Sequence, residues 1–122
     1  MEKIQRFKDL VAWQEAHKLV LKVYQLTKLF PKDEMFGLTS QLRRAVVSVS
    51  SNIAEGFTRN SKKDKSHFYS TAKGSVSEVE SQLLIAKDLG YISLNDFENC
   101  EVQLSRVDRL ASGLIKSAQD WK

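Results

Sequence analysis

Between Phe97 and Ala118 the apolar residues fall at Phe97, Cys100, Leu104, Val107, Ala111, Leu114 and Ala118. The steps alternate three and four, which places all seven side chains on one face of a helix. A single amphipathic helix cannot bury that face alone, so the line demands further helices to close over it. Upstream, Ala16, Leu19, Val23, Leu26 and Phe30 recur at helical spacing and predict a helix over about 9–30, stopped by Pro31. Leu38, Leu42, Ala45, Val49 and Ile53 predict a second over about 39–59. Ser61 with Asp64 three residues on is a capping signature for a third, over about 62–89. Its core line is Phe68, Ala72, Val76, Val79, Leu83 and Ala86, and Gly90 stands where a left-handed C-cap belongs. Ser93 with Asp96 opens the fourth, over about 94–120. One proline and five glycines are too few for the repeated turns of an all-β chain. The 122 residues suit one domain, and short connections favour an all-α, antiparallel up-down-up-down four-helix bundle.

The second helix is unusual in being small or apolar nearly all round from Ala45 to Ala54. At 100° per residue Val47 and Ala54 lie away from the core line, as do Leu84 and Ile85 on the third helix. Such residues predict a homo-oligomer, because a lone bundle would leave them in water. Arg44, Ser48, Asn52, Glu55 and Arg59 form a polar stripe on the second helix. A turn near residues 60–61 sets Glu78 level with Arg43 and Arg44, and Ser66 and His67 level with Glu55. A partly buried contact of Glu78 with Arg43 or Arg44 is therefore expected, acting on register more than on stability.

Little catalytic chemistry is encoded. Cys100 is the only cysteine and lies on the apolar line, so an inert buried thiol is expected. A di-iron bundle needs two Glu-x-x-His motifs, whereas this chain has only His17 and His67. The expectation is no metal and no cofactor. His17 reads as a hydrogen-bonded residue at the edge of the core, and Trp13, Phe68 and Phe97 read as core. Serines 48, 50 and 51 have no histidine base with an orienting acid. No Gly-rich phosphate loop follows a strand, so the chain is read as non-enzymatic. No apolar run approaches the ~20 residues of a membrane span. A charged start and a lone cysteine fit a cytoplasmic protein.

Charge is unevenly divided. Residues 1–65 carry a balance of +6 and residues 66–122 a balance of −2. In an up-down bundle the chain's start, the second turn and the chain's end share one pole. That pole gathers Lys3, Arg6, Arg59, Lys62, Lys63 and Lys65, with the three lysines of the third helix expected in solvent. Lys18, Lys22, Lys28 and Lys32 also run without an acid between Glu15 and Asp33. Both features suit phosphate binding to RNA or DNA.

Several blocks of sequence are distinctive together. They are Phe7-x-Asp-Leu-Val-Ala-Trp-Gln-x-Ala16, Phe30-Pro-Lys-Asp-Glu-x-Phe-Gly-Leu-Thr-Ser-Gln-Leu-Arg-Arg-Ala45 and Ser48-x-x-x-Asn-Ile-Ala-Glu-Gly56, followed by Ala72-Lys-Gly-Ser-x-x-Glu78 and Asp88-Leu-Gly-Tyr-Ile92. In this order they resemble the bacterial 23S ribosomal RNA intervening-sequence proteins, over residues 7–92 most clearly. The resemblance implies an antiparallel four-helix bundle and assembly into rings of five. It also implies a gene of the kind found in segments inserted into 23S rRNA genes and elsewhere in bacterial genomes. A distantly similar protein, the accessory variability determinant of diversity-generating retroelements, binds nucleic acid and its reverse transcriptase through a basic surface. The motif positions carried over are Arg43, Arg44, Ser48, Asn52, Glu55, Gly56, Gly74, Ser75 and Glu78. The reading that follows is a non-enzymatic oligomer binding nucleic acid at the basic pole. Its alternative is a structural or adaptor oligomer with a protein partner and no nucleic-acid role.

Overall fold

The computed structural model describes residues 4–121. Among them are four α-helices and two short 3₁₀ turns, with no strand. A 3₁₀ turn at Phe7–Asp9 precedes α1 (Val11–Thr27), and a second at Lys32–Glu34 precedes α2 (Leu38–Thr58). Helices α3 (Lys62–Asp88) and α4 (Leu94–Gln119) complete the bundle. Each helix packs on the next, and α1 closes on α4. α1 is shorter than its apolar line suggests. Leu10 is extended and ends the first 3₁₀ turn, while Phe30 is buried from the connection beyond Thr27. Its apolar ring serves the core without being helical.

Ser61 and Ser93 act as caps, their hydroxyls accepting the backbone N–H of Asp64 at 3.1 Å and of Asp96 at 3.0 Å. Gly90 adopts φ 81° after α3, a left-handed geometry that a side chain would strain. Leu19, Val23, Leu42, Val46, Val49, Ile53, Val79, Leu83 and Val107 are fully enclosed. Burying each such side chain contributes roughly 1.5–3 kcal/mol. Cys100 and Phe97 are buried among them, whereas Trp13 and Phe68 are only half-buried. His17 is exposed and stacks on Trp13 at 4.9 Å rather than entering the core edge.

Two polar contacts fix the helices laterally. The first joins α1 to α4 through Glu15, whose carboxylate is buried. Arg106 donates to it at 3.0 Å, Lys18 lies 2.8 Å away, and the buried Gln103 amide donates to its backbone carbonyl at 2.8 Å. Lys18 and Arg106 hold the Glu15 carboxyl down from the usual 4.5 to about 2, against the opposing effect of burial. The second contact is the seam between α2 and α3. There the Ser48 and Ser75 hydroxyls meet at 2.8 Å, and Asn52 donates to the Ser48 carbonyl at 2.8 Å. One turn further along α2, Gly56 lies under the Tyr69 ring, so close that a Cβ would sit 2.5 Å from a ring carbon. Gly74, on the outside of α3, has open space around the same position.

Glu15 sets an acid dependence of known sign. Its folded value is depressed, so its contribution is fully present above pH ~4.5 and is lost as pH falls toward 2. Glu15→Gln should cost about 2 kcal/mol near neutrality through the weakened charge-assisted bonds. Urea titrations from pH 6 to pH 2 should show the gap between wild type and variant closing, and a gap independent of pH would contradict this account. The two glycines should respond oppositely to alanine. Gly56→Ala forces Tyr69 away and should destabilise by roughly 1–3 kcal/mol. Gly74→Ala should stabilise the protomer by about 0.5–1 kcal/mol, read as a higher urea midpoint, since it restricts the unfolded chain and favours the helix.

Candidate interaction surfaces

The basic pole is assembled from four parts of the chain. The first 3₁₀ turn packs on α1 and α2, and the Lys65 ammonium ties the end of α2 to Trp121 beyond α4. Lys62 and Lys63, in the first turn of α3, are exposed and form no ion pair among the described residues. Arg6 is exposed too, although its backbone N–H is held by Asp9 at 3.3 Å. Arg59 is partly neutralised, bonded to Glu55 and lying over the Phe68 ring. Lys3 lies outside the described residues.

Lys65 corrects the sequence reading. It is 7% exposed, not in solvent. Its ammonium donates to the carbonyls of Phe57 at 2.8 Å and Gly56 at 3.2 Å. The Phe57 and Trp121 rings lie 5.6 Å and 5.0 Å from it. The cause is the end of α2, whose last carbonyls have no partner within the helix and need a donor. Burial pulls the Lys65 ammonium below the ordinary lysine value. It is a structural cap, its ammonium committed to these two carbonyls.

The expected Glu78 contact is also absent. Arg43 turns toward α1, donating to Thr27 Oγ1 at 2.8 Å and lying 4.6 Å over the Tyr24 ring. Arg44 and Glu78 are both exposed and form no ion pair in the chain among the described residues. Arg43 is engaged by α1, and the Ser48 and Ser75 hydroxyls rather than an ion pair make the polar contact between α2 and α3 there. His67 likewise packs on Phe68 rather than pairing with Glu55. Of the other motif residues, Ser48, Asn52, Gly56 and Ser75 form the seam already described. Among the off-line apolar residues, Val47, Leu84 and Ile85 are exposed and Ala54 is half-buried.

A groove of about 810 Å³ runs along α1 and α2, and the sequence reading did not find it. Lys28, Lys32, Arg43 and Arg44 contribute cations to its lining, which contains no carboxylate. Phe36, at its rim, is 94% exposed, and Met35 beside it is also exposed. Two members of the lysine run are occupied elsewhere, Lys18 by Glu15 and Lys22 by Asn99 on α4. The opposite side of the bundle holds a cluster of carboxylates, Glu80, Glu101 and Asp108. Burial and the adjacent Glu101 carboxylate push Glu80 above the usual carboxylate range, with Asp108 adding to it. Lys73 bridges α3 to α4, donating to Ser112 at 2.7 Å, with Asp108 3.7 Å away.

Among the described residues no group of three metal-ligating side chains converges. The Cys100 thiol is buried, and burial pushes its pKa up, away from the reactive thiolate. Among the described residues no helix is long and apolar enough to cross a membrane.

The structure is similar to a solved protein of unknown function from the S23 ribosomal protein family of Bacteroides thetaiotaomicron. That match has a TM-score of 0.81 and 22% identity, covering 89% of this chain and 98% of the other. No curated protein matches. The model of the 23S rRNA-intervening sequence proteins matches residues 8–113, nearly the whole bundle, and the chain therefore belongs to that family.

Proposed function

We propose that this protein is a non-enzymatic, cytoplasmic homo-oligomer that binds nucleic acid through phosphate contacts at its basic pole. The observation that carries the reading is the pair Lys62 and Lys63, exposed and without an ion pair at the N-terminal turn of α3. Backbone N–H groups at a helix start add positive potential where those lysines stand. Lys65 leaves the phosphate-binding set, and Arg6 and Arg59 flank it. The bundle is read as antiparallel, since contacts that advance along α1 from Glu15 to Lys22 retreat along α4 from Gln103 to Asn99. Exposed Val47, Leu84 and Ile85 support self-association, and the family resemblance supports a ring of five. A ring would present several poles to one polyanion and multiply a weak contact.

Contacts of this kind are weak in sequence preference and steep in salt. Lys62→Ser with Lys63→Ser should flatten the plot of log affinity against log salt by about 1.8 for duplex DNA and about 1.4 for single strands, per engaged protomer. Fluorescence anisotropy on RNA and DNA oligomers across a salt series measures this, with Lys65 left in place as the cap of α2. Equal slopes, or no binding at low salt, would favour the adaptor reading. Val47→Glu should weaken assembly by placing an unpaired carboxylate in the contact. Light scattering at micromolar concentration checks it, and a monomeric wild type would remove the oligomer reading.

A further inference from the structure

The α1–α2 groove and the acidic side of α3–α4 are reciprocal in both charge and apolar content. In the groove, Lys28, Lys32 and Arg44 form no ion pair among the described residues, and no acid lines the wall. On the other side, Glu80, Glu98 and Glu101 form none either. Each surface also holds large apolar side chains in water. Phe36 and Met35 stand at the groove, while Leu94 and Val102 stand with Glu98 and Glu101 around a shallow depression on α4.

We propose that the groove of one protomer seats the α3–α4 acidic face of a second copy of this chain. The proposal rests on the homo-oligomer reading and names the two surfaces that meet. Helix order supports it. α1 packs on α2 and on α4, and α3 packs on α2 and on α4, so the α1–α2 and α3–α4 sides face away from each other. One copy can then offer its groove to one neighbour and its acidic face to another. An interface between two different patches is heterologous, and repeated copies either close into a ring or extend as a filament. An exposed aromatic and an arginine beside an apolar depression are the residue types on which interface affinity concentrates. The carboxylates of Glu80 and Glu101 repel each other within the chain, and neighbouring cations would relieve that repulsion.

Exchange of charge between the patches tests this. One variant carries Lys32→Glu and Arg44→Glu, the other Glu98→Lys and Glu101→Lys. Each alone should dissociate at least tenfold more readily than wild type in light scattering at low salt, with helical circular dichroism unchanged. Mixed in equal amounts they should re-associate, because each reversed patch then meets its complement. A single chain carrying all four changes should do the same. An oligomeric wild type whose two variants assemble undiminished would overturn this interface and leave the oligomer reading standing. A monomeric wild type would overturn both. Undiminished assembly with loss of oligonucleotide binding by the groove variant alone would make the groove a polyanion site instead.

Discussion

The close approach of α2 and α3 governs the rest of the molecule. Gly56 lets the Tyr69 ring settle against the α2 backbone, and the Ser48–Ser75 hydrogen bond replaces what would be bulky packing two turns earlier. With the helices this near, a connection of only residues 59–61 can join them. A short turn leaves the last carbonyls of α2 close to the first turn of α3. Lys65 is within reach of them, and its ammonium satisfies two. The same lysine lies against Trp121, so the C-terminal end of α4 is drawn to this turn. A contact made by a glycine and a tyrosine thus determines which cations are left for a partner: Lys62 and Lys63 stay outside because Lys65 is spent inside.

Helical periodicity and capping chemistry were legible in the sequence because both are local. The heptad line of α4 and the serine caps of α3 and α4 need only residues three or four positions apart. Lys65 was not legible, since it stands among Lys62, Lys63 and Asp64, and neighbours in sequence do not disclose a carbonyl acceptor on another helix. Glu15 and Gln103 were missed for a related reason. Each is a polar residue beside an apolar line, and only the juxtaposition of α1 and α4 turns them into a buried pair. Phe36, never assigned a place from the sequence, is a case of the opposite sense. Hydropathy assigns a phenylalanine to the interior, yet between a 3₁₀ turn and a helix start no periodicity says which way it faces.

Of the nine motif positions, Glu55 pairs with Arg59, and the other eight divide into two groups. Ser48, Asn52, Gly56 and Ser75 act within the chain, and the tight α2–α3 seam is sufficient reason for their small size or amide. Arg43 also acts internally, tying α2 to Thr27 and Tyr24 of α1. Arg44, Gly74 and Glu78 have no such role. Arg44 and Glu78 are exposed charges without an ion pair among the described residues, and Gly74 occupies a helical position where a methyl group would meet nothing. A glycine inside a helix carries a conformational cost that its own protomer does not require. Its presence is accounted for if another molecule comes near α3.

Charge partition along the chain becomes a partition in space. Most of the positive balance of residues 1–65 lies on α1, α2, the turn at Arg59 and the start of α3, while the negative balance of residues 66–122 lies on the remainder of α3 and on α4. Adjacent helices in sequence are adjacent in the bundle, so the two balances become two sides of one protomer. In the proposed assembly, copies with such sides would attract one another head to tail and repel where like sides meet, which would select one orientation among many. The groove cations would be consumed in that contact. Lys62 and Lys63 would not, because they stand at the end of the bundle rather than along its flank. Self-association and phosphate binding, as proposed, would therefore draw on different residues, and a change that abolishes one need not disturb the other.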